Sequence, residues 1–163
     1  MAYNDKNYNN RGGFSPRDSR PVPNAPTFPA GYLKDAYLDE SGDRDLRYLT
    51  TFAVSIGKSL SDKDDTTGKS KIRSYFNSVN SIKEALFTKA ISENTAMVQL
   101  TQLKNRVVAR EAKQTASKFF SDFINKNIDV VISDKALFKD RLIGFRDHFE
   151  AVVCHTAEKK ERR

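Results

Sequence analysis

Apolar residues recur three and four positions apart along most of the chain, from Leu46 to Val153. This spacing places them on one face of an α-helix, whereas a strand would alternate apolar and polar positions. No proline follows Pro29, so this region lacks the residue that most strongly interrupts helices. The pattern therefore predicts an all-α fold, a compact bundle of about five helices.

The predicted helices are defined by the apolar residues that share a face. In chain order these are Tyr32, Leu33, Ala36 and Tyr37; Leu46, Leu49, Ala53, Ile56 and Leu60; Ile72, Phe76, Val79, Ile82 and Leu86; Leu100, Leu103, Val107 and Val108; and Phe138, Leu142, Phe145, Phe149, Val152 and Val153. The fourth helix is predicted to run from about Met97 to Lys126. Its apolar residues move to another side near Phe119, so we expect it to contact different neighbours along its length or to kink. The polar run before the third helix predicts a loop in which Thr66 or Thr67 caps that helix.

The first 30 residues differ in composition from the rest of the chain. All five prolines fall between Pro16 and Pro29, and the segment is otherwise rich in Asn, Arg, Gly and Ser. Such a segment cannot bury enough apolar surface to offset the entropy lost on ordering. The sequence therefore predicts a disordered N-terminal tail over residues 1–30, a helical bundle domain over 31–158 and a charged C-terminal end over 159–163.

The chain has 163 residues, a net charge of +7 and a single cysteine, Cys154. One cysteine excludes an internal disulfide and a cysteine-based metal site. No apolar run approaches the roughly 18 residues that a membrane-spanning helix needs, and the N-terminus lacks an apolar signal sequence. We therefore expect a soluble, cytoplasmic protein without metal or cofactor, and the basic charge favours an acidic polymer or an anionic surface as its partner.

Two Gly-Lys-Ser sequences, at residues 57–59 and 68–70, invite comparison with nucleotide-binding loops. Such a loop follows a buried strand and has another glycine five residues before its Gly-Lys-Ser. The corresponding positions hold Phe52 and Lys63, and no strand is predicted before either copy. The sequence therefore argues against ATP or GTP binding.

Basic residues are concentrated between Thr66 and Lys126, where eleven Lys or Arg residues accompany four acidic ones. One group shares a face of the fourth predicted helix that has no carboxylate, and consists of Arg106, Arg110 and Lys113 with Gln99, Gln102 and Ser117. A second group, Lys69, Lys71 and Arg73, lies in the first turns of the third helix. The helix dipole disfavours positive charge there unless an anion binds. This distribution favours contact with phosphates over an ordinary solvated surface.

An enzymatic alternative uses Arg141 and His148, whose R-x6-H spacing resembles the active-site pattern of helical HEPN ribonucleases. Nearly two helical turns separate the pair, so both side chains are able to face one groove for phosphate stabilisation and proton transfer. Leu142 departs from that family, which usually has a polar residue there. His148 and His155 lie ~10 Å apart along a helix, too far to bind one metal ion by themselves. A third alternative is a helical adaptor whose basic face binds an acidic protein.

Three segments together resemble a known family. They are TTGKSKIRSYFNSV, LTQLKNRVVAREAKQTASKFFSDFI and FKDRLIGFRDHFEAVVCH, which begin at Thr66, Leu100 and Phe138. In this order and spacing they resemble the small subunit of the type III-A CRISPR effector complex, the Csm small-subunit family. The resemblance covers about Leu46 to Thr156. Here the Thr-Thr and Ile-Arg of the first segment are two residues further apart than in the family, and no Tyr follows Ala109.

The resemblance implies a noncatalytic helical bundle that stacks as several copies in a ribonucleoprotein complex for antiviral defence. Its implied partners are the guide (CRISPR) RNA, the target RNA, the backbone subunits, the large subunit and further copies of itself. Basic side chains of such a subunit are expected to contact the RNA backbone without base preference. By matching motifs, the implied contacts are Arg73, Lys104, Arg106 and Lys113. Arg110 is added from the helical wheel, and Lys69 and Lys71 from the start of the third helix.

Overall fold

The computed structural model describes residues 25–156. After a 3-10 turn at Leu46–Tyr48, this part of the chain forms five α-helices. They are α1 (Thr51–Leu60), α2 (Lys69–Phe87), α3 (Glu93–Ala112), α4 (Lys118–Ile132) and α5 (Phe138–Cys154). The predicted all-α bundle is confirmed.

Helix α5 lies at the centre of the bundle, because it packs against α1, α2 and α4. Its apolar face was predicted correctly, since Phe138, Leu142, Phe145 and Phe149 are fully buried. The phenylalanines of α4 pack against this face, as in the edge-to-face contact of Phe123 with Phe149. Helix α3 lies at the side of the bundle, where α2 and α4 are its main neighbours. Helices α2 and α3 therefore form a hairpin, and a groove between them is open to solvent on the side away from the core.

The single long helix predicted from Met97 to Lys126 is wrong, because the chain forms two helices there. Helix α3 ends at Ala112, and α4 begins at Lys118. Between them Gln114 has a φ of 59°, which an α-helix does not allow. Ser117 then caps α4, since its side chain accepts a hydrogen bond from the backbone N–H of Phe120. The shift of the apolar residues near Phe119 therefore marks a new helix.

The predicted first helix, around Tyr32 to Tyr37, is also wrong. Leu33, Ala36 and Tyr37 have φ values of 62°, 49° and 71°, so the segment is a series of turns. Buried contacts stabilise it: the Tyr37 hydroxyl donates to Asn127 Oδ1 at 2.7 Å, and the Leu33 N–H donates to the Tyr48 hydroxyl at 2.8 Å. Tertiary hydrogen bonds have overridden the local helical spacing here.

The predicted cap of the third helix is wrong as well. Gly68 is the N-cap of α2, and no side chain makes a capping hydrogen bond there. The Thr67 hydroxyl instead makes two hydrogen bonds to Ser117. It accepts from the backbone N–H of Ser117 at 2.9 Å and donates to the Oγ of Ser117 at 3.1 Å. This buried threonine therefore attaches the loop before α2 to the start of α4.

Most of the predicted N-terminal tail, and the whole predicted C-terminal end over 159–163, lie outside the described residues. The last residues of the predicted tail, 25–30, are described. Within them, the Phe28 ring stacks on Tyr32 and on Phe119, with ring centroids 5.2 and 4.5 Å apart. Contact with the bundle thus begins before the boundary predicted at Ala30.

Candidate nucleic-acid interface

A groove of about 690 Å³ runs along the outer side of the α2–α3 hairpin. Helix α2 contributes Ser70, Arg73, Ser74, Asn77, Ser78 and Ser81, and α3 contributes Gln99, Gln102 and Arg106. The only apolar residue among the described lining residues is Ile82, and none of them is acidic. We call this surface the α2–α3 groove. It combines two positive charges with neutral hydrogen-bonding side chains.

The two arginines of the α2–α3 groove were predicted separately, and the fold brings them together. Arg73 comes from the start of α2 and Arg106 from the second half of α3. Both side chains are exposed, and neither forms an ion pair with any residue between 25 and 156. Because their charges are not neutralised by a neighbouring carboxylate, the groove favours an anionic ligand.

The other five predicted contacts lie outside the lining of this groove. Lys104 is half-buried and forms an ion pair with Asp129 of α4, so its charge is already balanced. Lys71 donates to the backbone carbonyl of Thr115, and this bond attaches α2 to the loop before α4. Lys69 is half-buried at the first position of α2. Arg110 and Lys113 are exposed at the end of α3.

The helical wheel was therefore only partly correct. Gln99, Gln102 and Arg106 do share one face of α3. Lys113 is the C-cap residue of α3 and Ser117 is the N-cap residue of α4, so neither continues that face. The wheel assumed one uninterrupted helix, and it fails at the position where the helix ends.

Both Gly-Lys-Ser sequences have structural explanations. Gly68 has φ 78° and ψ 146°, a backbone conformation that is essentially restricted to glycine. Gly57 lies inside α1 and is buried, because the end of α5 approaches it closely. Neither glycine follows a strand in the part of the chain that the structure describes. The prediction that these sequences do not form a nucleotide loop agrees with this geometry.

Replacing Gly57 with alanine is expected to destabilise the fold by about 1–3 kcal/mol. An added Cβ would lie 2.7 Å from the Cβ of His155 and 2.9 Å from its carbonyl carbon and oxygen, so backbone must shift. The gain in helix propensity, about 1 kcal/mol, does not offset this. Urea unfolding should show a lower midpoint, with Ser55→Ala on the exposed side of α1 as a near-neutral control. An unchanged midpoint for Gly57→Ala would contradict the close-packing role.

The enzymatic alternative required Arg141 and His148 to face one open groove, but only Arg141 is partly exposed. His148 is fully buried. Its Nδ1 lies 2.6 Å from the carbonyl oxygen of Tyr48 and therefore carries the proton, whereas Nε2 accepts from the Tyr32 hydroxyl at 2.6 Å. Arg141 donates from Nη1 to the carbonyl of Val130, 3.0 Å away. Neither histidine nitrogen has a lone pair or proton available to a substrate.

His148 belongs to a buried polar network that the sequence did not reveal. Asn127 of α4 donates to the Tyr32 hydroxyl at 3.0 Å and accepts from Tyr37 at 2.7 Å. Burial raises the pKa of the Tyr32 and Tyr37 hydroxyls. Burial also lowers the pKa of the His148 imidazole to about 4, although the hydrogen bond to the Tyr48 carbonyl acts in the opposite direction. The network joins the N-terminal turns to α4 and α5, which is a structural role.

Sequence reasoning also missed the α2 side of the groove. Ser70, Ser74, Asn77 and Ser81 recur at steps of four, three and four, the spacing of one helix face, opposite the apolar residues. This polar face was visible in the sequence, but apart from Arg73 it has no charge to mark it.

Among the described residues, no cluster of His, Cys, Asp and Glu suits a metal ion. Nor does any helix of that region have the length and apolar character to cross a membrane.

Comparison with known protein families adds one match. The family described as Csm2 Type III-A matches residues 43–161, which is most of the chain and includes all five helices. Searches of curated proteins and of solved structures found no match. The match agrees with the resemblance drawn from the three sequence segments. The chain therefore belongs to the Csm2 Type III-A family, and is a small subunit of a type III-A CRISPR complex together with other Csm subunits.

Proposed function

We propose that the α2–α3 groove binds the sugar–phosphate backbone of RNA within the type III-A complex, without base preference. The observation that best supports this is the pairing of Arg73 and Arg106, two arginines without a carboxylate partner among the described residues, in a groove that lacks acidic side chains. A guanidinium binds a phosphate through two parallel hydrogen bonds, which makes arginine well suited to this contact.

Charges beside the groove extend its positive potential. Arg110 is exposed on α3 beyond Arg106, Lys113 is exposed at the C-cap of α3, and Lys71 lies near the start of α2. These side chains attract a polyanion over a distance and release counterions when it binds, which gives affinity without sequence information. Bases of the bound strand are read by pairing between guide and target.

The subunit has a binding role and no catalytic one in this proposal. Membership of the family supports assembly with the backbone subunits and the large subunit in the cytoplasm, with several copies stacked so that successive grooves follow guide and target RNA. The buried, fully hydrogen-bonded His148 argues against the ribonuclease alternative. The scarcity of apolar residues in the groove argues against an acidic protein as its occupant, since protein interfaces have an apolar core.

Filter binding of labelled single-stranded RNA to the purified full chain tests this proposal. Two unstructured RNAs of unrelated sequence should bind equally. The logarithm of the affinity should fall linearly with the logarithm of the salt concentration, by roughly 0.7 for each phosphate bound. The absence of RNA binding at ~0.05 M salt would contradict the proposal, as would a strong preference for one sequence. Cleavage of the RNA, visible on a denaturing gel of the same samples, would favour the ribonuclease instead.

A further inference from the structure

The lining of the α2–α3 groove changes along its length. A short connection over residues 88–92 joins α2 to α3, so the two helices run antiparallel and residues equally far from the connection lie side by side. Arg73 and Arg106 therefore lie at the end that is far from the connection. Nearer to the connection the lining is uncharged, and we call this part the neutral half; its polar residues are Asn77, Ser78, Ser81, Gln99 and Gln102.

The neutral half has hydrogen-bonding capacity that the protein does not use. The side chains of Asn77, Gln99 and Gln102 make no hydrogen bond to any other residue in the described range. Ser78 donates to the carbonyl of Ser74 at 3.1 Å, which leaves its oxygen able to accept. Amides and hydroxyls both donate and accept hydrogen bonds. The unused groups therefore suit a ligand that also does both.

A phosphate only accepts hydrogen bonds, so it does not require such groups, whereas a ribose 2′-hydroxyl both donates and accepts. The groove is also long enough for more than one phosphate. Arg73 and Ser81 are separated along α2 by about 12 Å, which exceeds the spacing between neighbouring phosphates of one strand. A strand whose phosphate is bound by the arginines would therefore place riboses along the neutral half.

We propose that the neutral half distinguishes RNA from DNA by hydrogen bonds from Asn77 and Gln102 to ribose 2′-hydroxyls. This inference rests on the proposed binding of an RNA backbone and adds a source of selectivity for that same groove. The two arginines supply affinity for either polymer, because RNA and DNA share the phosphate. The amides supply the preference, because DNA has no hydroxyl to satisfy them.

Competition binding of three oligonucleotides tests the inference. They share one sequence of adenines and cytosines, so the bases are identical, and differ in having ribose, deoxyribose or 2′-O-methylribose. The wild-type chain should bind the ribose strand about tenfold more tightly than either of the others, as expected for two hydrogen bonds. The 2′-O-methyl strand keeps an RNA-like sugar conformation but lacks the hydroxyl. If the chain bound the 2′-O-methyl strand as tightly as the ribose strand, the inference would be overturned.

Two pairs of variants assign the preference to the groove. The exposed pair Asn77→Ala with Gln102→Ala should weaken RNA binding about tenfold, leave DNA binding unchanged and so abolish the preference. The matched pair Asn94→Ala with Asn105→Ala removes two exposed amides of α3 outside the groove, and should keep the preference. A preference for RNA that remains in the Asn77→Ala, Gln102→Ala variant would overturn the assignment to the groove. Equal binding of RNA and DNA by the wild-type chain would overturn this inference but leave the proposed function standing. Binding of neither polymer would overturn the proposed function itself.

Discussion

Replacing Arg73 and Arg106 together with alanine is expected to weaken RNA binding about a hundredfold at ~0.1 M salt. A charge-assisted hydrogen bond contributes roughly 1.5 kcal/mol, or about tenfold in affinity, for each arginine. The decrease should be the same for RNAs of unrelated sequence, because a phosphate contact does not report the base. Filter binding of the single and double variants measures the effect.

The same double variant should also bind with a weaker dependence on salt. For a single strand, every phosphate that the protein no longer binds lowers the slope of log affinity against log salt by roughly 0.7, so two lower it by about 1.4. The fold should be unaffected, because both side chains are exposed and neither is ion-paired within residues 25–156. Unfolding midpoints that match those of the wild-type chain would confirm that the decrease in affinity is local.

Lys58→Ala with Lys135→Ala is the matched control. It removes the same two positive charges from exposed positions, one on α1 and one before α5, and neither lines the α2–α3 groove. Because remote charges act only through a screened field, the affinity of the control should fall by less than about threefold at this salt concentration. Equal decreases for the two double variants would mean that net charge, and not the groove, determines binding.

The fold was predictable wherever the helical spacing and the tertiary contacts agree. Helices α2 and α5 follow the predicted apolar faces, with Ile72, Val79, Leu142 and Phe145 buried as expected. The N-terminal turns do not follow the helical spacing of their apolar residues, because Tyr37 is positioned by a hydrogen bond to Asn127, which lies 90 positions away in the sequence. Local spacing contains no information about such partners.

In the candidate site, too, the sequence did not show which charged side chains lie together and which are paired. Sequence reasoning proposed Arg73 and Arg106 for separate reasons, and it could not see that the hairpin places them in one groove. It ranked Lys104 equally with them, although Asp129, 25 residues further along, neutralises that lysine. Whether a charge is free depends on which helices pack together, and this is decided by the whole core.

The free energy of unfolding is expected to fall by about 3 kcal/mol, through His148 alone, as the pH is lowered from 6.5 to 4. The pKa of this imidazole is about 4 in the folded chain, against an ordinary value of 6.5, because burial disfavours its charged form. Between these pH values the unfolded chain binds a proton that the folded chain does not. Stability therefore rises with pH across this window, by about 1.4 kcal/mol per pH unit.

Urea unfolding at several pH values measures this effect, with the slope of stability against pH as the quantity compared. His148→Gln should flatten the slope between pH 4 and 6.5, even if removal of the bonds to Tyr32 and Tyr48 lowers stability at every pH. His155→Gln is the matched control for the loss of a histidine, because that side chain is exposed at the end of α5 and is not part of the buried network.

The folded wild-type chain offers a second readout that does not depend on any variant. The imidazole resonances of His148 should stay constant from pH ~8 to about 5, since its Nδ1 proton and its Nε2 lone pair are both engaged. Titration of these resonances near pH 6.5 would mean that the ring is open to solvent, and the buried network would then be wrong. It would also reopen the ribonuclease alternative, which requires a histidine that exchanges protons with a substrate.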